Sequence, residues 1–306
     1  MEKKNEKRNR SSAVKEVLSS ELYIRQPYPI TAMQADLSRQ QIRILVGMVR
    51  SIQDGVQKMF DQRKNGEQMV LFSVMDNDKV NIDFKFSDVA DRPDAYRNVE
   101  VIAKKFMQMV FRYEDKENGE ITLTHFVDKI TYPRNGSKRD KIRFSFTMEQ
   151  AKTVFNFAMY SRYMLSVVAE AESKHTARIY MLITSARGFE RDKKGDLCWY
   201  VSYEELRRML GCDEKDDYDR WYRKSQKLYK HFKSNVLRVA ERELKRLFDI
   251  GKSDCWFEFK EKPVGFSGEP KSLKFVLHMS EDEQGKLLGG AVSDKGNDNL
   301  KMEVWG

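Results

Sequence analysis

Residues 220–246, RWYRKSQKLYKHFKSNVLRVAERELKR, carry ten lysines and arginines against two acids, Glu241 and Glu243, so this one stretch holds +8 of a whole-chain formal charge of +9. Read as a helix, it places Tyr229, Phe232, Val236, Val239, Ala240, Leu244 and Leu247 on one stripe at spacings of three and four. The opposite face carries Lys230, Lys233, Ser234, Asn235, Arg238, Arg242 and Lys245. Such a segment must bury its spine on a small domain and leave a basic, hydrogen-bonding front outside. That front suits phosphates and base edges in a major groove. The same composition also suits a solvated surface helix, so the rest of the chain has to decide.

At 306 residues the chain has room for two domains. A hydrophobic content of 40%, with 11% aromatics, is enough for real cores. The basic excess favours a polyanionic partner, either nucleic acid or a membrane surface. No apolar run approaches the length of a membrane span, and the charged start MEKKNEKRNR has no apolar stretch behind it, unlike a secretory signal. Cys198, Cys212 and Cys255 are odd in number and widely spaced, which points to a reducing, cytoplasmic setting. The phosphate-loop motif GxxxxGK[ST] and the zinc motif HExxH are missing. His125, His175, His231 and His278 lie far apart, and no His-x-His pair accompanies the tyrosines as a nicking enzyme requires. No catalytic residue, metal or cofactor is therefore expected.

In chain order, residues 1–25 read as a flexible basic lead and Pro27 and Pro29 set an extended entry. A helical pattern follows from about Thr31, with Ser38 as a cap for an inner start. Residues 79–87 alternate as a strand. Asp91-Arg92-Pro93 opens a helix whose stripe is Val99, Ile102, Phe106, Met109, Val110 and Tyr113; its outer face holds Arg97, Lys104, Lys105, Gln108 and Arg112. Strands at 120–132 and 140–147 are joined by a basic turn containing Arg134, Lys138 and Arg139. Residues 148–171 read as a bridging helical region and 173–187 as a second helix. A short strand at 197–201 precedes a helix opened by a capping box, Ser202 to Glu205. After the basic stretch come strands at 255–259 and 272–278, and 280–306 reads as a flexible tail. The first half thus reads helix, strand, helix, hairpin, and the second repeats that order with one added helix: helix, strand, helix, helix, hairpin. The expected fold is α+β with tandem winged-helix domains, each a helical core with a β-hairpin wing. The expected units are an N-terminal domain at 26–150 and a C-terminal domain at 151–279.

SKHTARIYMLI (173–183), VSYEELRRMLG (201–211) and YKHFKSNVLRVAERELKR (229–246), followed by a two-stranded wing, resemble the iteron-binding plasmid replication initiators of theta-type plasmids. The match runs from about Tyr160 to His278; in the first half, ITAMQADLSRQQIRILVGMVRSI matches more loosely. The resemblance implies a non-enzymatic protein that binds directly repeated origin DNA and helps to melt an adjacent A+T-rich region. It also implies recruitment of the host replication initiator and replicative helicase. Dimers, joined through the N-terminal domain, would repress the protein's own promoter while monomers bind the repeats. Carried over by position, the DNA readers are Lys230, Lys233, Ser234, Asn235 and Arg238, with Arg242 further along. Family members often have consecutive basic residues where this chain has Ser234-Asn235. Asparagine can pair with adenine where arginine prefers guanine, which implies a different target sequence.

Lys174 is a candidate phosphate contact by the same resemblance, whereas Arg178 equally suits a brace within the fold. Arg207 and Arg208 could clamp the DNA backbone or simply be exposed. In the first half, Lys104, Lys105 and Gln108, with Arg134, Lys138 and Arg139 in the wing, could reach a second groove, or this half could serve as a dimer surface. The alternative function is a winged-helix transcription regulator or partition factor without initiator activity. A relaxase or nuclease is a third reading, opposed by the missing metal and nucleophile motifs.

Overall fold

The computed structural model describes residues 23–31, 36–50, 75–76, 79–85, 95–115, 120–134, 140–147, 150–151, 160–185, 189–212, 229–262, 269–279 and 300–305. Within them the chain is a mixture of helices and small antiparallel sheets. No helix among the described residues is long and apolar enough to cross a membrane.

The first half is built around a helix at residues 39–50, here α2, which follows strand β1 (Tyr23–Pro27) and a single turn α1 (Tyr28–Thr31). Ser38 caps it reciprocally: the Gln41 amide N–H donates to Ser38 Oγ at 3.3 Å, and the Ser38 N–H donates to Gln41 Oε1 at 2.8 Å. Ile42, Ile44, Leu45, Val46, Met48 and Val49 are all buried, so α2 is wrapped on most of its circumference. A four-stranded sheet, in the order β2 (Met75–Asp76), β3 (Lys79–Lys85), β7 (Lys141–Thr147), β6 (Lys129–Thr131), presents Val80, Ile82, Ile142, Phe144 and Phe146 inward. Helix α3 (Val99–Gln108) buries Ile102, Ala103 and Phe106. The Phe106 ring stacks on Phe126 at 5.8 Å and meets Phe144 edge-on at 5.5 Å.

Three expectations for this half need correction. The helix expected to run to Tyr113 stops at Gln108, because Met109 turns extended (ψ 128°) and the chain continues as β4 (Val110–Asp115), paired with β5 (Glu120–His125). The single strand expected at 120–132 is two strands in different sheets. Phe126 and Val127, consecutive and both fully buried, break the alternation between β5 and β6. The tail is not without structure: β13 (Leu300–Trp305) pairs with β4.

The second half begins with another correction. Residues 160–164, expected to be helical, are strand β8 (Tyr160–Met164), paired with β1 from Tyr23↔Met164 to Pro27↔Tyr160. Buried helix α4 (Leu165–Glu170) and helix α5 (Lys174–Ile183) follow. A sheet in the order β11 (Cys255–Glu261), β12 (Ser272–Met279), β10 (Leu197–Ser202), β9 (Phe189–Arg191) carries Phe257, Phe259 and Phe275 into the core. Helix α6 (Tyr203–Met209) opens with Ser202 Oγ accepting from the Glu205 N–H at 3.0 Å, as its sequence requires. It closes at Gly211, whose φ of 64° allows paired bonds from Gly211 N to Arg208 O and from Cys212 N to Arg207 O.

Polar side chains fasten the halves. Arg39 donates to Ala171 O and Glu172 O at 3.4 Å each, and Arg43 donates to Ala169 O at 2.5 Å, so two arginines of α2 cover the carbonyl end of α4. Arg178 donates to Ile30 O at 3.4 Å and to Met209 O at 3.0 Å, which makes it the brace rather than a DNA contact. Burial lowers the guanidinium pKa of both Arg43 and Arg178 to about 10, leaving each charged at neutral pH. Glu243, buried, accepts from the backbone of Glu172 and Ser173 and from Thr176 Oγ1, so one carboxylate caps the start of α5.

Two outcomes follow from these groups. Glu243→Ala orphans those donors and is expected to cost about 3 kcal/mol in urea unfolding; a loss below about 1 kcal/mol would show that the cap carries little stability. His175 is buried with neither ring nitrogen bonded, and burial, aided by Lys174, lowers its pKa to about 3. Its folded pKa lies below the unfolded value near 6.5, so the unfolded chain takes up the proton first as pH falls. Stability should therefore drop below pH 6.5 by up to about 1.4 kcal/mol per pH unit. In His175→Gln that component of the pH dependence should vanish from unfolding curves taken at pH 7 and pH 5.

Candidate nucleic-acid interface

The basic stretch is described from Tyr229 onward, and there it is helical without a break but not uniform. Helix α7 (Tyr229–Phe232) passes into a π-wound turn, Lys233–Leu237, and then into α8 (Arg238–Asp249). The Arg238 N–H bonds to Lys233 O, five residues back. A π turn admits one extra residue. Its effect is visible in the spine: Val236 and Leu237 are both fully buried, while Val239, assigned to the spine from sequence, is only half-buried. With Tyr229, Phe232, Ala240, Leu244 and Leu247 they anchor the helix. The π turn includes Lys233, Ser234 and Asn235, three of the residues singled out for DNA.

The front is as the sequence placed it. Lys230, Ser234, Asn235, Arg238 and Arg242 are exposed and Lys233 is half-buried. Each arginine is oriented by the protein itself. Arg238 pairs with Glu241 at 2.6 Å and lies 4.7 Å over the Phe259 ring, and Arg242 Nε donates to Arg238 O at 3.2 Å. Ser234 Oγ donates to His231 O at 3.2 Å. Glu261, at the end of β11, ties the hairpin to the helix. It pairs with Lys233 at 2.5 Å and accepts from the Tyr229 hydroxyl at 2.6 Å. Burial pushes the Glu261 carboxyl up, but the bonds from Lys233 and Tyr229 outweigh it and hold the pKa below the ordinary value. Burial and the Glu261 hydrogen bond raise that of Tyr229. Sequence reasoning missed Glu261, which lies two residues beyond the strand assigned at 255–259; an acid there gives no periodic signal.

The remaining candidates scatter. Lys174 is ion-paired with Asp36 across the two halves, which leaves it a fastener rather than a free phosphate ligand. Lys105 donates to Asp36 O in the same place and is likewise turned inward. Arg207 donates to Cys212 O at 3.1 Å and lies 5.5 Å over the Tyr203 ring, bracing the end of α6. Arg208 is half-buried, with its Nε shut off from solvent. Lys104 pairs with Glu100 on its own helix at 2.7 Å and stays exposed, as do Gln108 and Arg134. Lys138 and Arg139 lie outside the described residues. Unforeseen is a cleft of about 730 Å³ on the outer face of β3, β6 and β7, lined among others by Lys79, Lys129, Lys141 and Arg143. Asp83 there is held below the ordinary carboxylate range, chiefly by its hydrogen bond from Arg143.

A family model described as initiator replication protein, WH1, matches residues 23–184, from the first residue of β1 to the end of α5. The chain belongs to the initiator replication protein family. No curated protein matches it. Membership makes the matched region the family's winged-helix module and implies DNA binding by this initiator; the exposed basic front lies beyond the matched residues.

In Glu261→Gln the front of the initiator loses a carboxylate and Lys233 is released toward solvent. Binding to random duplex should tighten, and the slope of log affinity against log salt should steepen by about one phosphate contact. Fluorescence anisotropy at several salt concentrations reads both; an unchanged slope would mean that Lys233 stays off the DNA.

Proposed function

We propose that this initiator reads directly repeated duplex sites at a plasmid origin with the front of the helix that runs from Tyr229 to Asp249. The observation that supports the reading is one face: Lys230, Ser234, Asn235, Arg238 and Arg242 stand exposed on a helix anchored on its opposite side by buried Phe232, Val236, Leu237, Ala240, Leu244 and Leu247, in a chain of the initiator family. Asn235 supplies an amide suited to adenine and Arg238 a fork suited to guanine. Lys230 and Arg242 supply phosphate contacts. The β11–β12 hairpin, tied on through Glu261, acts as the wing of a second winged-helix domain over 151–279, in tandem with the first over 26–150. The first domain adds backbone contacts through exposed Lys104, Gln108 and Arg134. On this reading the protein works by binding, without catalysis, cofactor or metal. It opens adjacent A+T-rich DNA, engages the host replication initiator and replicative helicase, and as a dimer represses its own promoter in the cytoplasm.

Footprinting on the DNA that flanks the gene is expected to show protection at regularly repeated sites. Against such a site, Asn235→Ala or Arg238→Ala should weaken binding by about 1–3 kcal/mol and leave random DNA much less affected. Lys230→Ala should weaken both equally. Equal losses in all three variants would reduce the face to non-specific phosphate binding, and no loss in any would displace the site from this helix.

A further inference from the structure

The C-terminal strand β13 sits on the edge of β4, far from its neighbours in sequence, and its residues repeat the pattern of the strand that it covers. The register sets Lys301 opposite Glu114, Met302 opposite Tyr113 and Glu303 opposite Arg112. A basic, an apolar and an acidic position thus meet an acidic, an aromatic and a basic one. Read in its own direction, β4 has the same order, Arg112-Tyr113-Glu114, as the tail, Lys301-Met302-Glu303. An antiparallel copy of β4, centred on Tyr113, would therefore meet β4 with the same match in charge: Arg112 opposite Glu114, Tyr113 opposite itself, Glu114 opposite Arg112. That pairing is two-fold symmetric and self-complementary, as an isologous interface must be. An uncovered strand edge is a template for such pairing, and opposite charges at facing positions favour it.

We infer that the tail strand 300–305 mimics β4 and plugs its edge, and that the partner it excludes is the β4 edge of a second copy of this chain. The β5 side of β4 is closed by its own hairpin, so the tail side is where a second copy can add. With the plug seated the chain stays single; with the plug out, two β4 strands join the hairpins of two copies into one continuous antiparallel sheet. The inference rests on strand register and charge order and does not depend on which surface reads DNA.

Sedimentation equilibrium of the full chain and of a chain ending at residue 299 tests it, with hydrogen exchange of amides 110–115 as a second readout. The shortened chain should self-associate at least tenfold more tightly. At concentrations where it is still a monomer, its 110–115 amides should exchange faster than in the full chain. The full-length double variant Lys301→Glu with Glu303→Lys, which sets like charges opposite Glu114 and Arg112, should behave like the shortened chain. Adding Arg112→Glu to the shortened chain should abolish the gain in association, and adding Glu114→Arg as well should restore it. Equal association with and without the tail would overturn the inference, as would unchanged exchange at 110–115 or a gain in association indifferent to the charges at 112 and 114.

Discussion

The buried carboxylate of Glu243 is the interaction on which the arrangement of the second half depends. It belongs to the long basic helix, yet it accepts from the backbone of Glu172 and Ser173 and from Thr176 Oγ1, at the start of α5. A helix N-terminus carries unsatisfied N–H groups and partial positive charge, and a carboxylate taken out of water needs donors for its lone pairs. Each requirement meets the other. The consequence reaches further, because Arg39 and Arg43 of α2 take up the last carbonyls of α4 just before that cap. One short segment, 169–176, therefore ties the first half, α5 and the long helix together. Burial of α8's spine supplies the driving force; the polar bonds fix the register.

With its base held there, the front of the long helix is shaped by two local devices. The π turn at Lys233–Leu237 lets two consecutive apolar residues turn inward and passes the helix on with a shifted face. Such turns cost hydrogen-bond geometry and tend to persist where they serve a site; here one includes Ser234 and Asn235. Glu261 reaches from the hairpin to hold Lys233 and Tyr229. Cations restrained by neighbouring acids are pre-ordered and partly neutralised, which weakens indiscriminate attraction to phosphate more than it weakens a well-matched contact.

Much of this was legible in the sequence where a local signal and the tertiary environment agree. The caps at Ser38 and Ser202 formed as written, and the β11–β12 pair and most of the buried stripe of the basic helix followed from periodicity, Val239 and Leu237 excepted. The misses have a common physical cause. Met109, Val110 and Tyr113 fit a helical stripe as well as the end of a helix entering a strand, and pairing with β5 decided between them. Residues 160–164 became a strand because β1 is there to pair with them. The tail's alternation, Leu300-Lys-Met-Glu-Val-Trp, lies after a long polar stretch and has no meaning until β4 is beside it. At the site, exposure on the helix was readable, but partners were not. Lys174 and Lys105 look like free cations in sequence, and only the fold brings Asp36 to both. Arg178, left open between brace and contact, is a brace because Ile30 and Met209 present carbonyls to it.

The proposed DNA face is tested most directly by hydrogen exchange of the full chain with and without a duplex carrying the repeats that flank its gene. Slowed exchange should concentrate at backbone amides of residues 230–242, strongest through the π turn, and extend to the hairpin residues near Glu261. Slowed exchange confined to the first half, with 230–242 unchanged under saturating duplex, would contradict the assignment of the long helix as the reader.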